Sequence, residues 1–201
     1  MTQPLPKRRP GRPKLSDNAL YSAKNQILDA AERVVVANGP YRLTLDAVTK
    51  EANISKGGLL YHFATKEKLI DGMIERYLDN SVQRELKVAA QIGGINNDIR
   101  AIISEMTNSR GDTDRLGAAL LAAAAIDLDR LEPVRKALCE RFESFKRREI
   151  RFEICAATDL AVIGLTLLEL LKIPPLFGHD RERVLLFLDA MARGAFAESL
   201  D

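Results

Sequence analysis

Three helix-capping residues crowd the stretch TLDAVTKEANISKGGLLYHFATKEK, residues 44–68, at Thr44, Ser55 and Thr65. A hydroxyl at each of these points accepts a backbone N–H of the turn that follows, so the chain must restart a helix three times within a short distance. Thr44 caps a helix through Leu45, Ala47, Val48 and Ala52, with Asp46 in the first turn where the helix dipole favours a carboxylate. Asn53 stops it. Ser55 opens a second helix that runs to about Tyr61 before Phe63, Ala64 and the new cap Thr65 end it. The result is a compact, angular pair of short helices.

The second of these helices contains Gly57 and Gly58, each costing roughly 1 kcal/mol against alanine in a helix interior. Close approach is the expected compensation: Gly57 lets the short helix sit against its predecessor, and Gly58 lets backbone meet a phosphate. Leu59 and Phe63, spaced i and i+4, anchor an inner face, while Lys56, Tyr61, His62 and Lys66 supply donors on the outer one.

The run ISKGGLLYHFATKEKL, residues 54–69, closely resembles the end of the DNA-binding domain in tetracycline-repressor (TetR) family transcriptional regulators. Upstream, ILDAAERVVVANGPYRLTLDAVTKEAN is similar to that family's first two helices, so the resemblance spans roughly residues 22–80. One departure is Gly58-Leu59-Leu60, where many members carry Thr-Leu-Tyr; Leu60 removes a phosphate or base contact. The resemblance implies double-stranded DNA as partner, met by Thr44, Ser55, Lys56, Gly57, Gly58, Leu60, Tyr61, His62 and Lys66. It also implies an all-α chain in three parts: a basic arm at 1–21, a three-helix helix-turn-helix domain at 22–66, and a helical effector-binding and dimerisation domain at 67–201.

Charge is distributed in keeping with that division. The net charge is +2, but residues 1–80 hold 13 Lys and Arg against 9 Asp and Glu, whereas the remainder holds 17 against 19. Much of the excess lies in Lys7, Arg8, Arg9, Arg12 and Lys14, interleaved with Pro10, Gly11 and Pro13. The PGRPK core resembles an AT-hook, with Arg9 and Arg12 suited to a narrow A·T-rich minor groove. A solvated tail adding salt-sensitive phosphate affinity is the other reading, and both stay open.

Helical periodicity continues along the chain. A helix from about Ser22 to Asn38 is expected, then one from Lys66 to about Val88 whose stripe of Leu69, Met73 and Tyr77 links the two halves. Further helices are expected at roughly 98–109, 114–129, 132–153, 157–172 and 180–199, with no strand pattern. Two look apolar over much of their circumference: Leu160, Ile163, Gly164, Leu167, Leu168 and Leu171 on one, and Val184, Leu185, Leu188, Met191, Ala192 and Ala195 on the other. Pairing across a twofold axis would make a four-helix bundle, similar to the TetR-family dimer, and closure of a monomeric core is the alternative.

Met106, Phe142, Phe145, Phe152 and Cys155 lie on or beside helices that would enclose the centre of the second half. Plain core packing explains such residues. The family resemblance implies instead a small apolar or amphipathic effector there, with Arg141, Glu143 and Glu169 as candidate polar handles. No cofactor or metal is expected: Cys139 and Cys155 are too isolated for a zinc site or disulfide framework, and His62 and His179 stand alone. No run of about 18 apolar residues occurs, and the basic, proline-rich start lacks an apolar signal core, so a cytoplasmic protein that neither enters nor crosses a membrane is expected. An enzyme finds no support in a glycine-rich nucleotide loop, nucleophile elbow or histidine-centred acid–base pair. The reading that results is a repressor, homodimeric on a near-palindromic operator and released by an effector, with a constitutive architectural DNA-binding protein as the alternative.

Overall fold

The computed structural model describes residues 17–107, 116–120, 127–148, 150–173 and 176–194. Among these the regular elements are all helical: α1 (Asp17–Asn38), α2 (Leu45–Ala52), α3 (Lys56–His62), α4 (Lys66–Ile92), α5 (Asn97–Thr107), α6 (Glu132–Phe145), α7 (Phe152–Leu170) and α8 (Gly178–Ala192). Residues 116–120 are helical too, and short 3-10 turns occupy Pro40–Arg42 and Leu128–Leu131.

Local chemistry sets the first four helices. Ile27, Leu28, Ala31, Val34 and Val35 recur on one side of α1 and are all buried. That helix ends where Gly39, at φ +81°, donates to the Val35 carbonyl and Pro40 follows. Each expected cap forms: Thr44 Oγ1 accepts from Ala47 N at 3.1 Å, Ser55 Oγ from Gly58 N at 3.1 Å, and Thr65 Oγ1 from Lys68 N at 3.2 Å. Such a cap contributes about 1 kcal/mol. Asn53 takes the left-handed conformation that terminates α2.

Among the described residues, two buried clusters hold the helices together. The first joins α1, α2 and α3 through Ile27, Ala31, Val48, Leu59 and Phe63 to Leu69, Ile70, Met73 and Ile74 of α4, and also takes in Leu116, Ala119 and Leu120. The second gathers Ile99, Ile103 and Met106 of α5 with Phe145 of α6, Cys155, Val162 and Leu165 of α7, and Leu185, Leu188 and Ala192 of α8. Polar clamps reinforce the first. Arg76 reaches back from α4 to Asp29 and Glu32 of α1, both at 2.6 Å, and Gln26 donates to the Ala52 carbonyl at 3.0 Å.

Several boundaries differ from those the sequence suggests. α1 begins five residues before Ser22, and α4 runs on to Ile92 until Gly93, at φ +61°, ends it. The helix expected through 129 has given way by Asp127, whose side chain accepts from Asp129 N and opens a 3-10 turn. The helix expected at 132–153 stops at Phe145, because Arg148 leaves the helical path to make a bidentate pair with Asp98 in the first turn of α5, its guanidinium 5.4 Å from the Phe145 ring centroid. α7 therefore starts at Phe152. α8 stops at Ala192, where Gly194 at φ +82° closes the last turn on the Met191 carbonyl, short of the expected 199.

Candidate functional site

α3 lies across α2 with its apolar side inward. Leu59 is wholly buried and Phe63 nearly so, and a Cβ on Gly72 would stand only 2.7 Å from the Phe63 ring, so α4 meets this aromatic at its closest approach. The outer side is open. Tyr61 is 72% exposed and Leu60 39%, His62 sits edge-on against the Tyr61 ring at 5.1 Å, and Ser55, Lys56 and Gly57 are exposed. Thr44 is exposed at the start of α2, and Lys66 is half-buried at the start of α4. The capped starts of α2, α3 and α4, donors included, thus lie close together in the chain around one short exposed helix.

One of the expected roles changes. Gly57 does not seat α3 against α2: it is exposed, and a Cβ there would meet nothing within 4 Å. The close-contact glycine is Gly72, on α4. At Gly58 a Cβ would come within 3.3 Å of the Ser55 Oγ, so this glycine leaves room for the cap itself. Lys56 is paired with Asp46 of α2 at 2.9 Å, but both side chains are largely exposed and such pairs are weak enough to open for a phosphate. Tyr41, 89% exposed, and Arg42 stand just ahead of Thr44 and escape a search for helical pattern because they project from the 3-10 turn after Gly39-Pro40. Arg9 and Arg12 lie outside the described residues.

A cavity of about 320 Å³ lies between α4, α5, α6 and α7. Its wall includes Ile74, Tyr77, Leu78 and Glu85 of α4, Ile102 and Glu105 of α5, Leu138 and Arg141 of α6, and Asp159, Val162 and Thr166 of α7. None of Met106, Phe142, Phe145, Phe152 and Cys155 lines it. Met106, Phe145 and Cys155 are buried in the second cluster, Phe142 packs against that cluster, and Phe152 stacks at the rim of Phe142. All but Phe152, which is exposed, are core, as helical spacing of aromatic and methionine residues ordinarily implies. Of the expected polar handles Arg141 does line the cavity, whereas Glu169 is paired with Arg181 at 2.7 Å and Glu143 with Lys146 at 2.5 Å.

The electrostatics of the cavity centre on Arg141, which donates to Glu85 at 2.9 Å and to Asp159 at 3.2 Å. Burial pushes the carboxyls of Glu85 and Asp159 up, against the pull of Arg141. Burial acts to lower Arg141, but Glu85 and then Asp159 outweigh it and hold the guanidinium more firmly charged. The legible signal was Asp159 itself, a lone charge in the otherwise apolar run ICAATDLAVIGL.

On α7, Leu160, Gly164, Leu167 and Leu171 form one outward stripe; the three leucines are exposed, and a Cβ at Gly164 would meet nothing within 4 Å. Ile163 and Leu168 flank it half-buried, and Ile163 and Leu167 also back onto the cavity. On α8 the outward apolar residues are Leu186 and Phe187, not Val184 and Leu188. Leu188 is buried in the second cluster and Val184 packs on it, because α8 turns that face to α5. Met191 is half-buried, and Ala195 lies outside the described residues.

Residues 27–73 match the family model of bacterial regulatory proteins of the tetR family, and residues 97–193 match that of the tetracyclin repressor-like C-terminal domain. The chain belongs to the TetR family of transcriptional regulators. It is 26% identical over 136 residues to YfiR, an uncharacterised HTH-type transcriptional regulator of Bacillus subtilis (strain 168), the aligned part being 68% of this chain and 66% of YfiR, just under two thirds of its length. Its fold is shared with a transcriptional regulator of Streptomyces coelicolor A3(2) (TM-score 0.68, 18% identity, 85% of this chain and 98% of that one). It is shared too with a regulator of Rhodococcus sp. Rha1 (TM-score 0.65, 20% identity, 87% and 96%) and with the multidrug binding protein EbrR complexed with imidazole (TM-score 0.62, 21% identity, 85% and 89%). TetR-family membership makes α2 and α3 the helix-turn-helix, with α3 its second helix. Among the described residues no group of His, Cys, Asp and Glu is arranged to hold a metal, and no helix is long and apolar enough to cross a membrane.

Proposed function

We propose that this TetR-family regulator is a repressor that binds a near-palindromic operator as a homodimer and is released by a small-molecule effector. The observation that carries the reading is the two-sidedness of α3, whose Leu59 and Phe63 are buried while Tyr61 and the Ser55-capped start face outward. A seven-residue helix so mounted fits a major groove, with the N–H groups and hydroxyls of its capped start aimed at phosphates. The working assignment is Thr44, Ser55, Lys56, Gly57, Gly58, Tyr61, His62 and Lys66 against DNA, with Leu60 offering apolar contact and Arg9 and Arg12 extending from the arm. Residues 1–21 then act as arm, 22–66 as reader and 67–201 as effector-binding and dimerising part.

A twofold partner is supported by the exposed stripe Leu160, Gly164, Leu167 and Leu171, since an apolar face of this length on a helix end is otherwise costly in water. Pairing would place two α3 helices in successive major grooves about 34 Å apart. α4 is the mechanical link. It begins immediately after the reader, receives Phe63 at Gly72, and lines the cavity from Ile74 to Glu85. An effector that binds better when the readers are mis-spaced draws the population away from the DNA-competent form, and a shift from 1:99 to 99:1 needs about 10⁴-fold preference.

Selection of bound duplexes from a randomised pool by the full-length protein tests this directly. Enrichment of a sequence with twofold symmetry, bound by one dimer and protected over two half-sites, is expected. Enrichment of nothing beyond A·T-rich composition would instead favour the architectural alternative.

A further inference from the structure

The 3-10 turn that joins α1 to α2 holds two side chains in solvent that no helical face accounts for. Gly39, at φ +81° with Pro40 after it, sets the turn; Arg42 N donates to the Gly39 carbonyl and Leu43 N to that of Pro40, both at 3.2 Å. Leu43 is 2% exposed and belongs to the first buried cluster, so it pins the turn to the core. The backbone then stays extended through Leu43 and Thr44. Side chains alternate along extended backbone, which puts Arg42 and Thr44 on the side away from Leu43. Both are exposed, and Tyr41 is the most exposed aromatic among the described residues.

Arg42 has no carboxylate partner among the described residues. That sets it apart, because every other described arginine except Arg147 pairs with an Asp or Glu. The acidic residue nearest to it in sequence, Asp46, pairs with Lys56 of α3 at 2.9 Å. The same ion pair locates the turn. It ties the first turn of α2 to the first residue of α3, so Arg42, Thr44 and the leading end of the reader share one exposed patch. An unpaired guanidinium keeps its planar fork of donors for an anion, and a tyrosine ring left in water brings a hydroxyl donor beside it.

We propose that Tyr41 and Arg42 form a second clamp on the DNA backbone: Arg42 forks one phosphate at the edge of the groove that α3 enters, and the Tyr41 hydroxyl donates to a neighbouring phosphate. The assignment rests on the reading of α3 as the DNA reader. It adds affinity and register, not sequence choice, because phosphates are alike at every base pair. The turn pinned by Leu43 holds both residues in place before DNA arrives, which lowers the ordering cost of binding.

Fluorescence anisotropy of the full-length protein over a salt series tests this, on the selected operator and on an unrelated duplex of equal length. Arg42→Ala should weaken binding about tenfold on both duplexes and lower the slope of log K against log salt by about 0.9 for each protomer bound. Arg42→Lys should restore the slope but only part of the affinity, since an ammonium cannot fork a phosphate. Tyr41→Phe should cost about threefold with the slope unchanged, as only a neutral donor is lost. Thermal midpoints should hold in all three variants, because both side chains are exposed. Unchanged affinity and slope in Arg42→Ala, or a loss confined to the operator, overturns the clamp while binding by the unaltered protein keeps the reader assignment intact. An unaffected Tyr41→Phe removes the hydroxyl from it. Absence of salt-dependent binding by the unaltered protein overturns both the clamp and the reader.

Discussion

Arg130 donates to the Asp71 carboxylate at 2.6 Å and to the Glu67 carbonyl at 3.2 Å, so the 3-10 turn ahead of α6 grips the first turns of the helix that follows the reader. Both side chains are partly shielded, which makes the pair stronger than a solvated one. Arg130→Ala should cost about 1–2 kcal/mol of stability in urea denaturation. A double-mutant cycle with Asp71→Asn should return a coupling of at least about 0.5 kcal/mol, and strict additivity would show that the two halves are not joined here.

Tyr61 is the most exposed donor on α3, so Tyr61→Ala should leave the melting temperature unchanged while lowering operator affinity about tenfold, roughly 1.4 kcal/mol. Lys66→Ala should weaken binding across all sequences and reduce the slope of log K against log salt by about 0.9. Fluorescence anisotropy at several salt concentrations reads both, and an unchanged affinity and slope in both variants would remove these residues from the interface.

Glycine substitutions separate close contact from open surface. Gly72→Ala forces a methyl to 2.7 Å from Phe63 in the buried cluster and should cost about 1–3 kcal/mol. Gly57→Ala meets nothing and should stabilise the fold by up to about 1 kcal/mol, as alanine does in a helix interior. Thermal denaturation decides; a stabilised Gly72→Ala would mean that α4 and α3 do not pack this way.

Leu167→Glu places a charge on the exposed stripe of α7, where Leu160 and Leu171 are its neighbours. Sedimentation velocity should show a monomer with unaltered helical circular dichroism, and operator affinity should fall at least 100-fold as the second half-site is lost. A dimer that persists in this variant would locate the twofold contact elsewhere.

Asp98 makes one contribution to the pH dependence of stability. Burial raises its carboxyl, but the Arg148 hydrogen bonds and charge outweigh burial and hold it below the ordinary value. A depressed carboxylate stabilises the native state above the unfolded value, about 3.9, and loses that contribution as pH falls through the folded one. With Asp98 about two-fifths exposed, Asp98→Asn should cost no more than about 1 kcal/mol at pH 7, a difference that disappears in strong acid. Equal penalties at pH 7 and in acid would mean that the charge is not what matters.

The helix-turn-helix was legible because its determinants are local: Thr44, Ser55 and Thr65 bond to backbone three residues on, and Leu59 and Phe63 read as one face from their spacing alone. The outward stripe of α7 followed from the same periodicity. What failed to show was partnership between distant segments. Nothing near Gly57 says that it faces open space while Gly72 receives Phe63, and nothing near Leu188 says that α8 turns that side to α5 rather than outward. A cavity in the second half was expected, but of its lining only Arg141 was named, since aromatic and sulfur-bearing residues fill a core as readily as they line a void, and here Met106, Phe145 and Cys155 fill it.

Helical class, caps, reader and family membership were thus determined by short-range sequence, where hydrogen bonds and apolar spacing act within a few turns of one helix. The tertiary structure alone decided where α6 ends, through Arg148 and Asp98 fifty residues apart, and which charges face the cavity, through Glu85, Arg141 and Asp159 from three helices. Burial and Coulomb energy depend on distances in space, which no pattern along the chain encodes.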